Sequence, residues 1–154
     1  LYSFYLVCYK AVLDAIGPGR TARDIYSEAL PAMEEELAGR TFSKQLYAEA
    51  CTRFVENFRR RSGRYGGSLG HWIGMSTHDV GPTDPTYVPG MVFTIEPSLR
   101  IPEENMNIRL EDLIIITSSG RDVVSDFVSM EMDEIEEMMR EEGMVQQYPH
   151  DTEN

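Results

Sequence analysis

Helical patterning in the first part of the chain and short strands in the second predict an α+β fold built as one domain. Three observations carry that expectation. Up to about residue 61 apolar residues recur at helical spacing, without clusters of β-branched residues. From Gly66 onward the texture changes to short apolar runs punctuated by glycine and proline. A chain of 154 residues, 42% hydrophobic and 26% charged, has an ordinary globular composition and can bury roughly two thirds of its unfolded surface.

The elements follow in order. A first helix is expected over residues 1–16, ended by Gly17-Pro18-Gly19. Thr21 then caps a second helix, with Asp24 placed three residues on for a capping box. That helix should reach about Leu37, before Gly39, with a kink at Pro31. A third helix fits residues 43–61 and breaks at Gly63 and Gly66-Gly67. The clearest strands are residues 91–99 and 107–117, the second closed by Ser118-Ser119-Gly120. Ser129 can cap a last helix running to about Glu142, where Gly143 stops it. The organisation is therefore a domain over residues 1–142 and an acidic, disordered tail over 143–154.

Charge narrows the partners. A formal net charge of −12 repels nucleic acid unless a local basic patch overcomes the field. Arg59-Arg60-Arg61 with Arg64 is the one candidate patch, and its simpler reading is a helix end whose cations complement the helix dipole. No apolar run approaches the ~20 residues that span a bilayer, so no membrane partner is expected. The opening residues carry neither a basic leader nor a cleavage site and read as the middle of a longer chain. Cys8 and Cys51 lie in helical patterns without metal or redox spacing, as reduced core thiols of a cytoplasmic protein do.

Chemistry concentrates in the second half. Two of the three histidines fall within Gly70-His71-Trp72-Ile73-Gly74-Met75-Ser76-Thr77-His78-Asp79-Val80-Gly81. In Met91-Val92-Phe93-Thr94-Ile95-Glu96-Pro97 the strand period puts Val92, Thr94 and Glu96 on one face, so a carboxylate ends an otherwise apolar strand. Likewise Asn107-Ile108-Arg109-Leu110-Glu111-Asp112 carries Arg109 and Glu111 on one face, just before the aliphatic run 113–116. Carboxylates are rarely buried without a partner. Two explanations stand at this point: an ion pair of Arg109 with Glu111 or Glu96 at a sheet edge, or a metal set formed by the two glutamates and a histidine.

Taken together, Gly70-His71-Trp72-Ile73-Gly74, His78-Asp79-Val80-Gly81, Pro89-Gly90-Met91-Val92-Phe93-Thr94-Ile95-Glu96-Pro97 and Ile108-Arg109-Leu110-Glu111-Asp112 resemble, in order, the motifs of aminopeptidase P and prolidase. The resemblance runs from the first helix to about Met139, with its specificity between Gly70 and Asp112. It implies the pita-bread fold, and hydrolysis of the bond before proline in peptides whose second residue is proline. It further implies two divalent cations, manganese, zinc or cobalt. By this resemblance His71, Glu96 and Glu111 are metal ligands, with Glu111 bridging and Glu96 also moving a proton. His78 would contact substrate at the scissile bond, and Arg109 would hold a ligating carboxylate in place.

The pattern also has gaps. The family's two ligand aspartates and a further catalytic histidine belong upstream of the first helix, and Asp14 and Asp24 lie in helices without reproducing them. Gly67 stands where many relatives carry a histidine, and Ser68 replaces a common glycine. The expectation is an incomplete pita-bread domain lacking its N-terminal strands, binding at most one divalent ion weakly, inactive alone, and prone to self-association as a homo-oligomer through an exposed sheet edge. The main alternative is a non-catalytic pita-bread binding module. Metal-free, creatinase-like hydrolysis is disfavoured by Glu96 and Glu111. An iron oxygenase lacks its His-x-Asp/Glu signature.

Overall fold

A computed structural model describes residues 1–63 and 67–144. Helix α1 (Tyr2–Ala15) presents Phe4, Cys8 and Val12 along one line and Tyr5 and Tyr9 along the next, so a broad apolar stripe faces inward. It ends where Ile16 turns extended ahead of Gly17-Pro18-Gly19, and Gly19 takes a φ of 79°. Helix α2 (Ala22–Gly39) starts with the expected capping box: the Thr21 hydroxyl accepts from the Asp24 N–H at 3.3 Å, and Asp24 Oδ2 accepts from the Thr21 N–H at 2.8 Å. It runs through Pro31 without a break. Pro31 has no N–H for the Ser27 carbonyl one turn back, and both residues are exposed. Helix α3 (Gln45–Gly63) closes the layer, and edge-on aromatic contacts join it to the other two helices: Phe4 to Phe54 at 6.4 Å and Tyr26 to Phe58 at 5.3 Å.

The helices pack on strands that differ from expectation in one informative way. Each long strand is two: β1 (Val92–Ile95) and β2 (Ser98–Ile101), then β3 (Met106–Arg109) and β4 (Asp112–Ile116). β1, β4 and β5 (Arg121–Val123) form an antiparallel sheet in the order β1-β4-β5, while β2 and β3 pair separately across a 3₁₀ turn at Pro102–Glu104. The breaks fall at residues 96–97 and 110–111, where Pro97 has no N–H to give. Phe93, Ile95, Leu99, Ile101, Ile114 and Ile116 join the helices' aromatic residues in one core.

The last helix is shorter than expected. α4 covers Met132–Met138 with Glu131 at the N-cap; ahead of it the Ser129 hydroxyl accepts from the Glu131 N–H at 3.1 Å and donates to the Glu134 carboxylate. The expected tail falls almost wholly on residues 145–154, outside the described residues, as do Arg64 and Gly66. Of the basic cluster, Arg59 pairs with Glu34 at 2.8 Å, Arg60 bonds Asn57 at 3.3 Å and Arg61 lies over the Tyr26 ring at 4.6 Å. Cys8 and Cys51 are buried free thiols. No helix among the described residues is long and apolar enough to cross a membrane.

Candidate metal centre

The histidine segment is laid against β1 by backbone bonds. Thr94 N–H donates to the His71 carbonyl at 2.9 Å, and His71 N–H donates to the Thr94 hydroxyl at 3.2 Å. Trp72 bridges to Phe93 on one side and Asp79 on the other. This approach requires glycine at position 70, where a Cβ would stand 2.1 Å from the Thr94 carbonyl oxygen. Beyond it the chain doubles back around Asp79, whose carboxylate accepts the N–H groups of Met75 at 2.6 Å, Val80 at 2.8 Å and Ser76 at 3.4 Å. Those three donors hold its carboxyl below the usual carboxylate range. The turn brings His78 back onto His71, ring centroids 4.1 Å apart and inclined at 74°.

The glutamates arrive from the strand breaks. Ile95 is opposite Asp112 and Ser98 opposite Arg109, so the intervening register sets Glu96 opposite Glu111. Directly opposed side chains of an antiparallel pair share a face. His71 Nε2 lies 3.3 Å from Glu111 Oε1 and 3.9 Å from Glu96 Oε1. Arg109 holds the other side of Glu96, Nη1 to Oε2 at 2.8 Å, and stands 3.9 Å from Glu111 Oε2. The ion pair and the histidine cluster, which the sequence left as competing explanations, therefore coexist: Arg109 takes one oxygen of Glu96 and leaves the other toward His71.

Among the described residues, His71, Glu96 and Glu111 are the one group of three or more metal-competent side chains, with donor atoms within 4.8 Å of one another. A divalent ion with nitrogen and oxygen ligands at about 2.0 to 2.2 Å needs donors roughly 3 to 4.4 Å apart, which the printed separations from His71 meet. Opposed glutamates repel, so their convergence on one imidazole fits a cation. Neither Asp14, paired with Arg121 at 2.9 Å, nor Asp24, committed to its cap, joins the group. Gly67 takes a φ of 66°, a conformation that favours glycine. A cavity opens beside Glu96, walled by Phe54, Phe58, Leu69 and Arg100.

Three participants were not legible as such. Tyr5, on α1, accepts from the Leu110 N–H and donates to the Pro97 carbonyl; Tyr9 donates to Asp112. In the sequence both tyrosines carry only the spacing of a core stripe. Asp112 sits inside a quoted motif yet nothing in the pattern announces that it is buried.

Three helices over antiparallel strands, with one histidine and two glutamates converging in the gap of a strand pair, make a candidate metal centre. The chain matches the model of metallopeptidase family M24 over residues 1–118 and belongs to that family. It is 31% identical to Xaa-Pro aminopeptidase 1 of Streptomyces coelicolor, over 90% of this chain and 30% of that protein. It is 28% identical to Xaa-Pro aminopeptidase 3 of Rattus norvegicus, over 90% of this chain and 28% of the relative. Escherichia coli aminopeptidase P, solved with the inhibitor Pro-Leu, superposes with a TM-score of 0.61 at 26% identity, covering 90% of this chain and 33% of that one. The chain thus spans about a third of the length of these relatives, and the fold it shares with them is the pita-bread fold.

Proposed function

We propose that the protein to which this chain belongs hydrolyses the bond before proline in peptides with proline second, as an aminopeptidase or dipeptidase, and that His71, Glu96 and Glu111 hold its divalent cation. The observation that carries this reading is the convergence of those three side chains in a chain of a metallopeptidase family. When bound, such a cation supplies Lewis-acid polarisation of a carbonyl and acidification of a water; the oxygen-rich donor set suits manganese, zinc or cobalt.

The remaining roles belong to the chain's own groups. Glu96 Oε1, freed by the Arg109 bond to Oε2, is placed to ligate and to accept a proton at the reacting centre. His78 is exposed, packed on His71, and able to present an N–H to an oxygen that gains charge as the amide carbon becomes tetrahedral. Arg109 orients Glu96 without touching substrate. The cavity beside Glu96, with Phe54, Phe58 and Leu69 in its wall, offers apolar surface to a ring such as that of proline. The two buried free thiols suit a reducing compartment such as the cytoplasm.

With three ligands in hand, this chain alone binds one divalent ion weakly and does not turn over peptide, and a second ion needs donors beyond those described. Isothermal titration with manganese chloride and an Xaa-Pro peptide assay test both halves. Stoichiometry near one with no turnover is expected. Absence of any binding refutes the metal site, and turnover by the isolated chain refutes the incomplete site. The alternative, a non-catalytic binding module, would be established by peptide binding without metal dependence in the parent protein.

A further inference from the structure

Helix α1 supplies no ligand, yet its tyrosines reach into the strand pair that carries two of them. The register that sets Glu96 opposite Glu111 also sets Pro97 opposite Leu110. Ile116 N–H donates to the Met91 carbonyl, so along this pair the odd-numbered positions of the first strand are the hydrogen-bonded ones, and Pro97–Leu110 is such a position. Pro97 has no N–H, which leaves a single ladder bond available there, from Leu110 N–H to the Pro97 carbonyl. It is not made directly. Leu110 N–H donates to the Tyr5 hydroxyl at 2.8 Å, and that hydroxyl donates to the Pro97 carbonyl at 2.7 Å.

One side-chain oxygen is thus spliced into the ladder beside both glutamates. Where a direct bond would hold donor and acceptor about 2.9 Å apart, two bonds in series open them to as much as about 5 Å. One turn along α1, the Tyr9 hydroxyl donates to Asp112 Oδ2 at 2.6 Å, and the Ser125 hydroxyl donates to Oδ1 at 2.5 Å. Asp112, 6% exposed, directly follows Glu111. The Tyr5 and Tyr9 rings stack at 5.9 Å, so the two hydroxyls act from one rigid unit. Together they grip Leu110 and Asp112, the neighbours of Glu111 on either side.

We propose that Tyr5 is a positioning residue for the metal-binding pair: its hydroxyl, inserted between Pro97 and Leu110 and braced by Tyr9 on Asp112, sets the spacing at which Glu96 and Glu111 present their carboxylates. This rests on the metal reading above. Without the hydroxyl, either the strands close to make the direct bond and press two like charges together, or Leu110 N–H and the Pro97 carbonyl lose their partner. Either outcome changes the donor geometry while the ring stays packed in the core.

The test compares Tyr5→Phe, Tyr9→Phe and, as control, Tyr2→Phe, whose hydroxyl bonds the Met130 carbonyl instead. Manganese affinity is read from the electron paramagnetic resonance signal of free Mn²⁺, and exchange of the Leu110 amide by NMR. Tyr5→Phe should keep the wild-type circular dichroism, bind Mn²⁺ about tenfold more weakly, as loss of a ligand's supporting contact does, and exchange the Leu110 amide faster; Tyr2→Phe should change neither. Should Tyr5→Phe not fold, Tyr9→Phe serves, with a several-fold weaker affinity expected. Unchanged Mn²⁺ affinity in a folded Tyr5→Phe, or in Tyr9→Phe if that is the variant measured, overturns the positioning role alone. A wild-type chain that takes up no Mn²⁺ at millimolar concentration overturns the metal reading and this role with it.

Discussion

Glu96 and Glu111 face one another across an interrupted antiparallel pair, and His71 Nε2 stands within 4 Å of a carboxylate oxygen from each. Two carboxylates in opposed positions weaken a strand pair unless something positive lies between or beside them. Here Arg109 supplies part of that charge, 45% exposed and so partly screened. Stability and metal binding therefore make opposite demands on the same two side chains.

Replacing Glu111 with glutamine should separate those demands. Relief of the opposed charges is expected to stabilise the metal-free chain by up to about 1 kcal/mol, while manganese affinity falls at least tenfold. Thermal melts with and without Mn²⁺ read both. A lower melting temperature without metal would show that Arg109 already more than balances the pair.

Gly70→Ala should detach the histidine segment from β1. A methyl group 2.1 Å from the Thr94 carbonyl oxygen cannot be absorbed by a flexible side chain, because the obstacle is backbone. A loss of more than about 2 kcal/mol is expected from strain of this kind, with Mn²⁺ affinity falling alongside. Urea unfolding and the Mn²⁺ titration measure the two effects, and a variant as stable as wild type would place the segment elsewhere.

The capping box of α2 makes a quantitative prediction remote from the site. Thr21→Ala should cost about 1 kcal/mol by urea unfolding, with metal affinity unchanged. The Asp24 carboxyl is held below its ordinary value, chiefly by the Thr21 N–H. Its folded form binds a proton less readily than its unfolded form, so the stabilisation is whole above the unfolded pKa and is lost as pH falls from there through the lower folded-state pKa. The acid limb of stability should shrink in Asp24→Asn.

Alkaline pH should destabilise the fold through groups that desolvation keeps neutral. Burial pushes the Cys8 thiol up to about 12, the Cys51 thiol up to about 11 and the Tyr87 phenol up to about 12. Burial also raises Tyr5 and Tyr9, with the Asp112 carboxylate adding to the shift of Tyr9. Folded-state values above the unfolded ones mean that the native chain holds protons the unfolded chain releases. Stability should be whole below about pH 9 and fall from there toward pH 12. Cys8→Ser combined with Cys51→Ser should flatten the early part of that decline, as melting temperature against pH would show.

What was legible from residues alone follows from how local each signal is. Helices α1 to α3 came within two residues of their ends because apolar spacing, a capping box and Gly-Pro stops act over one or two turns. The strand breaks escaped, since alternation continues through Glu96 and Glu111: Pro97 withholds one ladder bond, and the other is taken up by a side chain from α1, more than ninety residues away in sequence. α4 starts three residues after the Ser129 the sequence offered as its cap, although the Ser129 hydroxyl does accept from the Glu131 N–H.

The sequence by itself determined the α+β order, the capping, and the set of chemically unusual residues: two histidines in a glycine-rich segment and two glutamates set in apolar strands. Its motifs also pointed to the family. Only the tertiary structure decided that Glu96 and Glu111 stand opposite each other, that Arg109 bonds one oxygen of Glu96 while the other faces His71, and that the Tyr5 hydroxyl lies between the Leu110 N–H and the Pro97 carbonyl. The physical reason is range: propensity and capping are set by neighbours along the chain, whereas the meeting of three charged groups depends on strand register and on a helix packed across it.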